Sequence, residues 1–236
     1  MFNLRVHNTG AALLCFFAVS AWADTLTLDT VDRGYYYNSD TSNSSNKNYL
    51  TGQISGDTST TGFHSFFAFD PLSGLTGPIV SATLNLYNPV AGYSSTQPTE
   101  LLTISGFSGN VATLVGGGTV SGEYSALASG PIYGSQSVSS ANDGSFISFT
   151  LNADAIAFLN ANSGSAFAFG GHLDGVNNSD TRFVFGGSNS LSAADGNTTL
   201  TIVTASTSPV PEPKTTGLAV IGLLALLVRY RKVRAA

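Results

Sequence analysis

Short runs in which every second residue is apolar recur along this chain, and they constrain its fold more than any other feature. "TLTLDT" puts Leu26 and Leu28 on one side, "SFFAFD" aligns Phe67 with Phe69, and "IVSATLNLYNP" aligns Val80, Ala82, Leu84 and Leu86. "LLTISGF", "SFISFTL", "SAFAFGG", "RFVFGG" and "TTLTIVTA" continue the pattern. Side chains alternate across a strand, so period two marks strands that bury one face. Clusters of Gly, Asn, Ser and Pro separate the runs, as turns require. One segment departs from this: in "LNADAIAFLNANSG", Ala155, Ile156 and Leu159 share a helical face within residues 154–161, with Asn152 as N-cap and Gly164 as stop. One short helix among about ten strands predicts an all-β domain, a jelly-roll-like β-sandwich. No fixed-period repeat is present, which argues against a solenoid.

The two ends obey other rules. In "MFNLRVHNTGAALLCFFAVSAWADTL", Arg5 precedes a nine-residue apolar core (residues 11–19), and Ala21-Trp22-Ala23 follows as a small-x-small pattern. That order describes a cleavable secretory signal over residues 1–23, with Asp24 first in the mature chain. An uncleaved anchor is the alternative, but nine residues fall far short of the ~20 that span a bilayer. Cys15 lacks the small residue before it that lipoprotein processing needs. The chain closes with "PVPEPKTTGLAVIGLLALLVRYRKVRAA", where residues 217–228 form twelve uncharged positions. As a helix these would cover about 18 Å, a marginal span that Thr215, Thr216 and a snorkelling Arg229 lengthen. Arg229, Arg231, Lys232 and Arg234 hold the last residues in the cytoplasm and leave the body outside.

Composition sharpens the picture once the leader is set aside. The single Cys, Met and Trp all lie within residues 1–22, so the mature chain has no disulfide. Residues 24–210 carry thirteen acidic side chains against three basic ones (Arg33, Lys47 and Arg182), a formal charge of −10. Such a surface repels phosphate backbones and argues against nucleic acid as a partner. The tract "NSDTSNSSNKN" (residues 38–48) reads as a long polar surface loop.

The C-terminal constellation resembles the PEP-CTERM sorting signal of Gram-negative bacteria. Val210, Pro211, Glu212 and Pro213 match its motif, Thr215 its hydroxyl residue, and Gly222-Leu223 its mid-span pattern, within a membrane segment running from Gly217 and Leu218 to Val228. The basic stop is looser here than the family's usual arginine run. The resemblance covers about the last 28 residues and implies an exosortase-type processing enzyme as partner. It further implies transient anchoring in the inner membrane, cleavage near residues 211–213, and a final place in an envelope or matrix rich in extracellular polysaccharide. A permanent single-span anchor is the alternative. The body, residues 24–208, more weakly resembles extracellular β-sandwich modules of the DNRLRE type, through "FFAFDPLSGLTGPIVSATLNLYNP" and the segments after it, with Pro71 interrupting the shared run. That likeness bears on framework positions alone.

Catalytic chemistry is hard to place. Glu100 and Glu123, the only glutamates of the body, sit in Ser/Thr/Gly-rich surroundings that read as loops. His64 belongs to "GFHSFFAF" on the face opposite Phe67 and Phe69, and His172 ends the "FAFGG" strand. Neither has the spacing of a zinc motif, so both read as surface or hydrogen-bonded histidines. There is no GxSxG and no cysteine nucleophile. The expectation is a non-enzyme with no cofactor. "HLDGVNNSDTR" gathers Asp174, Asn177, Asn178 and Asp180, and Asp174, Asn178 and Asp180 are the one calcium candidate, though turn chemistry explains such a loop equally well. The Phe residues of "FAFGG" and "FVFGG" read as core, with Gly-Gly relaxing twist or making a bulge.

Three functions follow. The first is a non-catalytic envelope or matrix protein tied to exopolysaccharide and biofilm. The second is a carbohydrate-binding module using tyrosines such as Tyr35, Tyr36, Tyr37 and Tyr93, of which strand geometry forbids the first three from sharing a face. The third is a glycan hydrolase built on Glu100, Glu123 or Asp70.

Overall fold

A computed structural model describes residues 23–56, 60–175, 180–188 and 197–205. In chain order these form β1 (Thr25–Asp29), β2 (Asp32–Tyr37), β3 (Thr41–Ser42), β4 (Thr51–Ser55), β5 (Thr60–Phe69), β6 (Ile79–Asn88) and β7 (Glu100–Gly106). Then come α1 (Val111–Gly116), β8 (Gly118–Thr119), α2 (Glu123–Ser129), β9 (Ile132–Val138), a 3-10 turn (Ser140–Asn142), β10 (Ser145–Thr150), α3 (Ala153–Ala161), β11 (Phe167–Leu173), β12 (Arg182–Val184) and β13 (Thr198–Thr204). A four-stranded sheet runs β1-β13-β6-β10; a seven-stranded sheet runs β12-β4-β5-β11-β7-β9, with β2 also paired to β5; β3 and β8 form a short ribbon. Every pairing is antiparallel. The chain is mostly sheet with a few short helices, as the alternation predicts.

The core lies between the two large sheets. Ala82, Leu84, Leu86, Ile147, Phe149, Leu200 and Ile202 descend from the smaller sheet onto Phe67, Phe69, Leu102, Ile104, Phe167 and Phe169 of the larger one. Helix α3 closes one end through Ala155 and Leu159. Its predicted cap is present, since Asn152 Oδ1 accepts from the Ala155 amide at 3.1 Å. Its C-cap is Asn162 rather than the expected Gly164.

Several expectations need correction. Three α-helices occur among the described residues, not one. Helices α1 and α2 are six and seven residues long, too short to show a period in the sequence. They cover the outer face of the larger sheet, where Leu114 and Leu127 bury Tyr36, Phe66 and Ala68. Val80 points outward, 55% exposed, and Ile79 takes its place inside. The reason is a bulge: Ser81 pairs with Val203 but Ile79 with Thr204, so Val80 is the extra residue.

The two Phe-x-Phe-Gly-Gly segments also differ. Phe167 and Phe169 alternate normally into the core, whereas β12 ends at Val184 and Phe185 turns into the core at φ 66°. Phe183 is half-buried against the Tyr35 and Phe63 cluster. Gly170 marks neither slack nor a bulge: a Cβ there would lie 1.9 Å from the Leu127 carbonyl oxygen, so glycine lets α2 lie directly on the sheet. Within the polar tract 38–48, Thr41 and Ser42 pair with Thr119 and Gly118, so part of the expected loop is strand.

Candidate functional site

Two gatherings of side chains among the described residues, apart from the hydrophobic clusters, bear on function. The first is the outer face of the four-stranded sheet. Residues whose neighbours point inward must point outward, and the register sets them in rows. Thr27, Thr201, Thr83 and Thr150 form one row across all four strands. Asp29, Thr199, Asn85 and Ser148 form the next. Ser148 Oγ donates to Asn85 Oδ1 at 2.7 Å, and Asn85 Nδ2 donates to Thr199 Oγ1 at 3.4 Å. At the end of this field Tyr87 and Phe146 pair edge to face, ring centres 5.3 Å apart, with Phe146 half exposed at 50%. Val90, 81% exposed, lies beside the same turn, its Cγ2 3.4 Å from where a Cβ on Gly144 would be. These rows thus carry hydroxyl and amide groups and a single carboxylate, with an aromatic pair at one end and the outward Val80 and Val203 at the other. Sugars engage such a surface through CH faces on the rings and hydroxyls on the amides.

Two of the four tyrosines first considered for that role are closed off by packing. Tyr35 and Tyr36 are buried, and Tyr37 and Tyr93 are half-buried. Tyr36 faces α1, donating its hydroxyl to the Leu114 carbonyl at 3.1 Å. Tyr35 and Tyr37 pack on Phe63 on the opposite face, as alternation requires. Sequence reasoning missed Tyr87 and Phe146, although a signal was present: the parity that sends Ile147, Phe149 and Leu86 inward sends Phe146 and Tyr87 outward.

The glutamates are not in loops. Glu100 opens β7 and is buried. It faces Arg182, with 3.5 Å between Arg182 Nη1 and Glu100 Oε2, and Ser95 Oγ donates to its other oxygen. Glu123 opens α2 with its Oε2 buried and unpartnered, and burial, reinforced by the Asp40 charge, raises its pKa.

The second gathering lies on the face of the larger sheet that carries α2. Gly171 pairs with Ser65, so the next residues, His172 and His64, meet on the other side. Their ring centres are 5.7 Å apart. Tyr124 of α2 stacks on His64 at 3.7 Å and 5° and receives the His64 Nδ1 hydrogen on its carbonyl at 2.7 Å. Asp174 Oδ1 lies 3.0 Å from His172 Nε2, and Thr103 Oγ1 donates to Asp174 Oδ2 at 3.1 Å. Burial is the main cause of a lowered pKa in both histidines, taking His64 down to about 4.

Of the calcium candidates, Asp174 is committed to His172 and Thr103, and the Asp180 carbonyl accepts from Gln53 Nε2 at 2.7 Å. Asn177 and Asn178 lie outside the described residues. Among the described residues no three His, Cys, Asp or Glu side chains are grouped to hold a metal. No helix of the described residues is long and apolar enough to cross a membrane. Ala21, the motif at 210–213, the segment 217–228 and the basic positions 229–234 lie outside the described residues, while Ala23 is exposed just before β1. No family model matches the chain, and no curated protein matches it.

Proposed function

We propose that this is an exported, non-catalytic envelope or matrix protein whose body contacts polysaccharide through the outer face of the four-stranded sheet. One observation carries the reading: rows of Thr, Asn and Ser with a single carboxylate, ending in the Tyr87–Phe146 pair. Neutral hydroxyl arrays beside the exposed Phe146 ring suit a neutral glycan and offer little to a polyanion. The body's basic side chains support the same view. Arg33 is buried, Lys47 Nζ lies 2.5 Å from Asp32, and Arg182 faces Glu100, so none is left to draw in an anionic partner. Glu100 is held by Arg182 and Ser95, which speaks against its use as an acid or base.

Delivery, on this reading, belongs to the two ends: a secretory leader, then a tail with Val210-Pro211-Glu212-Pro213, an apolar segment that would form the single C-terminal helix, and a basic stop. An exosortase-type enzyme would cleave that tail and release the body from the inner membrane to the envelope or the biofilm matrix. The sandwich is of jelly-roll type, a reading favoured by β13 lying between β1 and β6, and β11 between β5 and β7.

The test is affinity electrophoresis of the full chain through gels carrying the host's own exopolysaccharide. Wild type is expected to be retarded, with Phe146→Ala weakening the interaction about tenfold and Tyr37→Phe leaving it intact. Equal mobility of wild type and Phe146→Ala would remove the sheet face from the proposal. No retardation of either would remove glycan contact altogether.

A further inference from the structure

We propose that His64 and His172 form a two-histidine seat for a divalent transition-metal ion that favours imidazole, of the zinc or copper kind. The residues come from adjacent strands and are the only histidines beyond His7 in the leader. What sets them apart is the way each ring is held. The partner of His64 Nδ1 is a backbone carbonyl, which can only accept, so Nδ1 carries the hydrogen and Nε2 carries the lone pair. The partner of His172 Nε2 is the Asp174 carboxylate, so Nε2 carries the hydrogen and Nδ1 the lone pair. A metal-binding histidine almost always gives its other N–H to a carboxylate or a backbone carbonyl. Here both do.

The His172 Nδ1 atom is buried with no hydrogen-bond partner. A lone pair in that position lacks a donor, and a cation supplies what is missing. With metal–nitrogen bonds of about 2.0–2.1 Å, two imidazoles on one ion have ring centres roughly 5–6.5 Å apart, a range that contains the observed 5.7 Å. Two protein ligands leave the remaining positions to water or to a donor brought by a partner. Asp174 is a positioning residue here: it holds the His172 tautomer and is itself held by Thr103.

The experiment is a titration of the full chain in detergent, labelled with 15N-histidine, with ZnCl2 at pH 7. Nitrogen shifts report each tautomer before metal is added, without any substitution that endangers folding. The expected result is Nδ1–H for His64 and Nε2–H for His172, then coupled shifts of His64 Nε2 and His172 Nδ1 that saturate at one zinc per chain. CaCl2 should move neither. Asp174→Asn should weaken zinc about tenfold and mix the His172 tautomers, which a purely structural role in the turn would not do. Shifts confined to His7, saturation of one ring without the other, or zinc uptake unchanged in a His64→Gln, His172→Gln double variant would overturn the proposal.

Discussion

At the scale of single residues, Glu123 shows how competing effects are decided. A carboxylate in the first turn of a helix is favoured by the helix dipole, by a few tenths of a kcal/mol to about 1 kcal/mol. Burial of an unpartnered Oε2 beside the Asp40 charge opposes this and wins, so the pKa rises from the ordinary 4.5. The sign follows. The folded state binds the proton more tightly than the unfolded chain, so the group favours folding below its unfolded pKa. That advantage is lost as pH climbs through 4.5 towards the higher folded value. Glu123→Gln is therefore expected to raise stability at pH 7 by about 1 kcal/mol, with the gain vanishing below about pH 4.5. Urea unfolding of both proteins at pH 4 and pH 7 measures it, and a variant less stable than wild type at pH 7 would contradict the assignment.

At the scale of elements, the seating of α2 is the decisive contact. Gly170 on β11 and Gly130 after the helix bring backbone against backbone: a Cβ on Gly130 would lie 1.8 Å from the Gly106 carbonyl oxygen. Close seating is what brings the Tyr124 carbonyl and ring onto His64. Gly170→Ala should lift the helix, cost about 2–4 kcal/mol, and turn the His64 ring free. Thermal unfolding and the histidine nitrogen shifts would report the two effects, and a variant with wild-type stability would show that the helix accommodates the methyl group. The bulge at Val80 works similarly on the other sheet. One extra residue brings Ile79 inward, where its amide and carbonyl are bridged by the Asn160 side chain of α3 at 2.9 and 3.0 Å.

At the scale of the whole molecule, two residues bolt the sheets together. Arg33 of β2 is fully buried, donates from Nη1 to Thr198 Oγ1 on β13 at 3.0 Å, and lies 4.8 Å over the Tyr49 ring. Tyr49 in turn donates its hydroxyl to the Tyr87 carbonyl on β6 at 2.6 Å. Arg33→Ala should cost about 3 kcal/mol or more, visible as a lowered urea midpoint; a loss under about 1 kcal/mol would mean that the bolt carries little load. Delivery is tested by the intact mass of the protein from its host's envelope and medium. The expected mass begins at Asp24 and ends near Pro211, whereas a chain running through Ala236 would make the tail a lasting anchor.

The order of residues is enough to give the fold class, because alternation depends only on neighbouring residues and the pleat. It placed Leu84, Leu86, Phe67 and Phe69 inside, and it capped α3 with Asn152, since a cap needs only three residues of local chain. It also placed His64 on the face opposite Phe67. What lies over each face depends on packing between distant segments. Alternation tells which side a residue takes but not whether that side meets solvent, so Tyr36 disappeared under α1 while Phe146 stayed in the open. It could not bring together His64 and His172, or Glu100 and Arg182, because those pairs are set by strand register and not by distance along the chain.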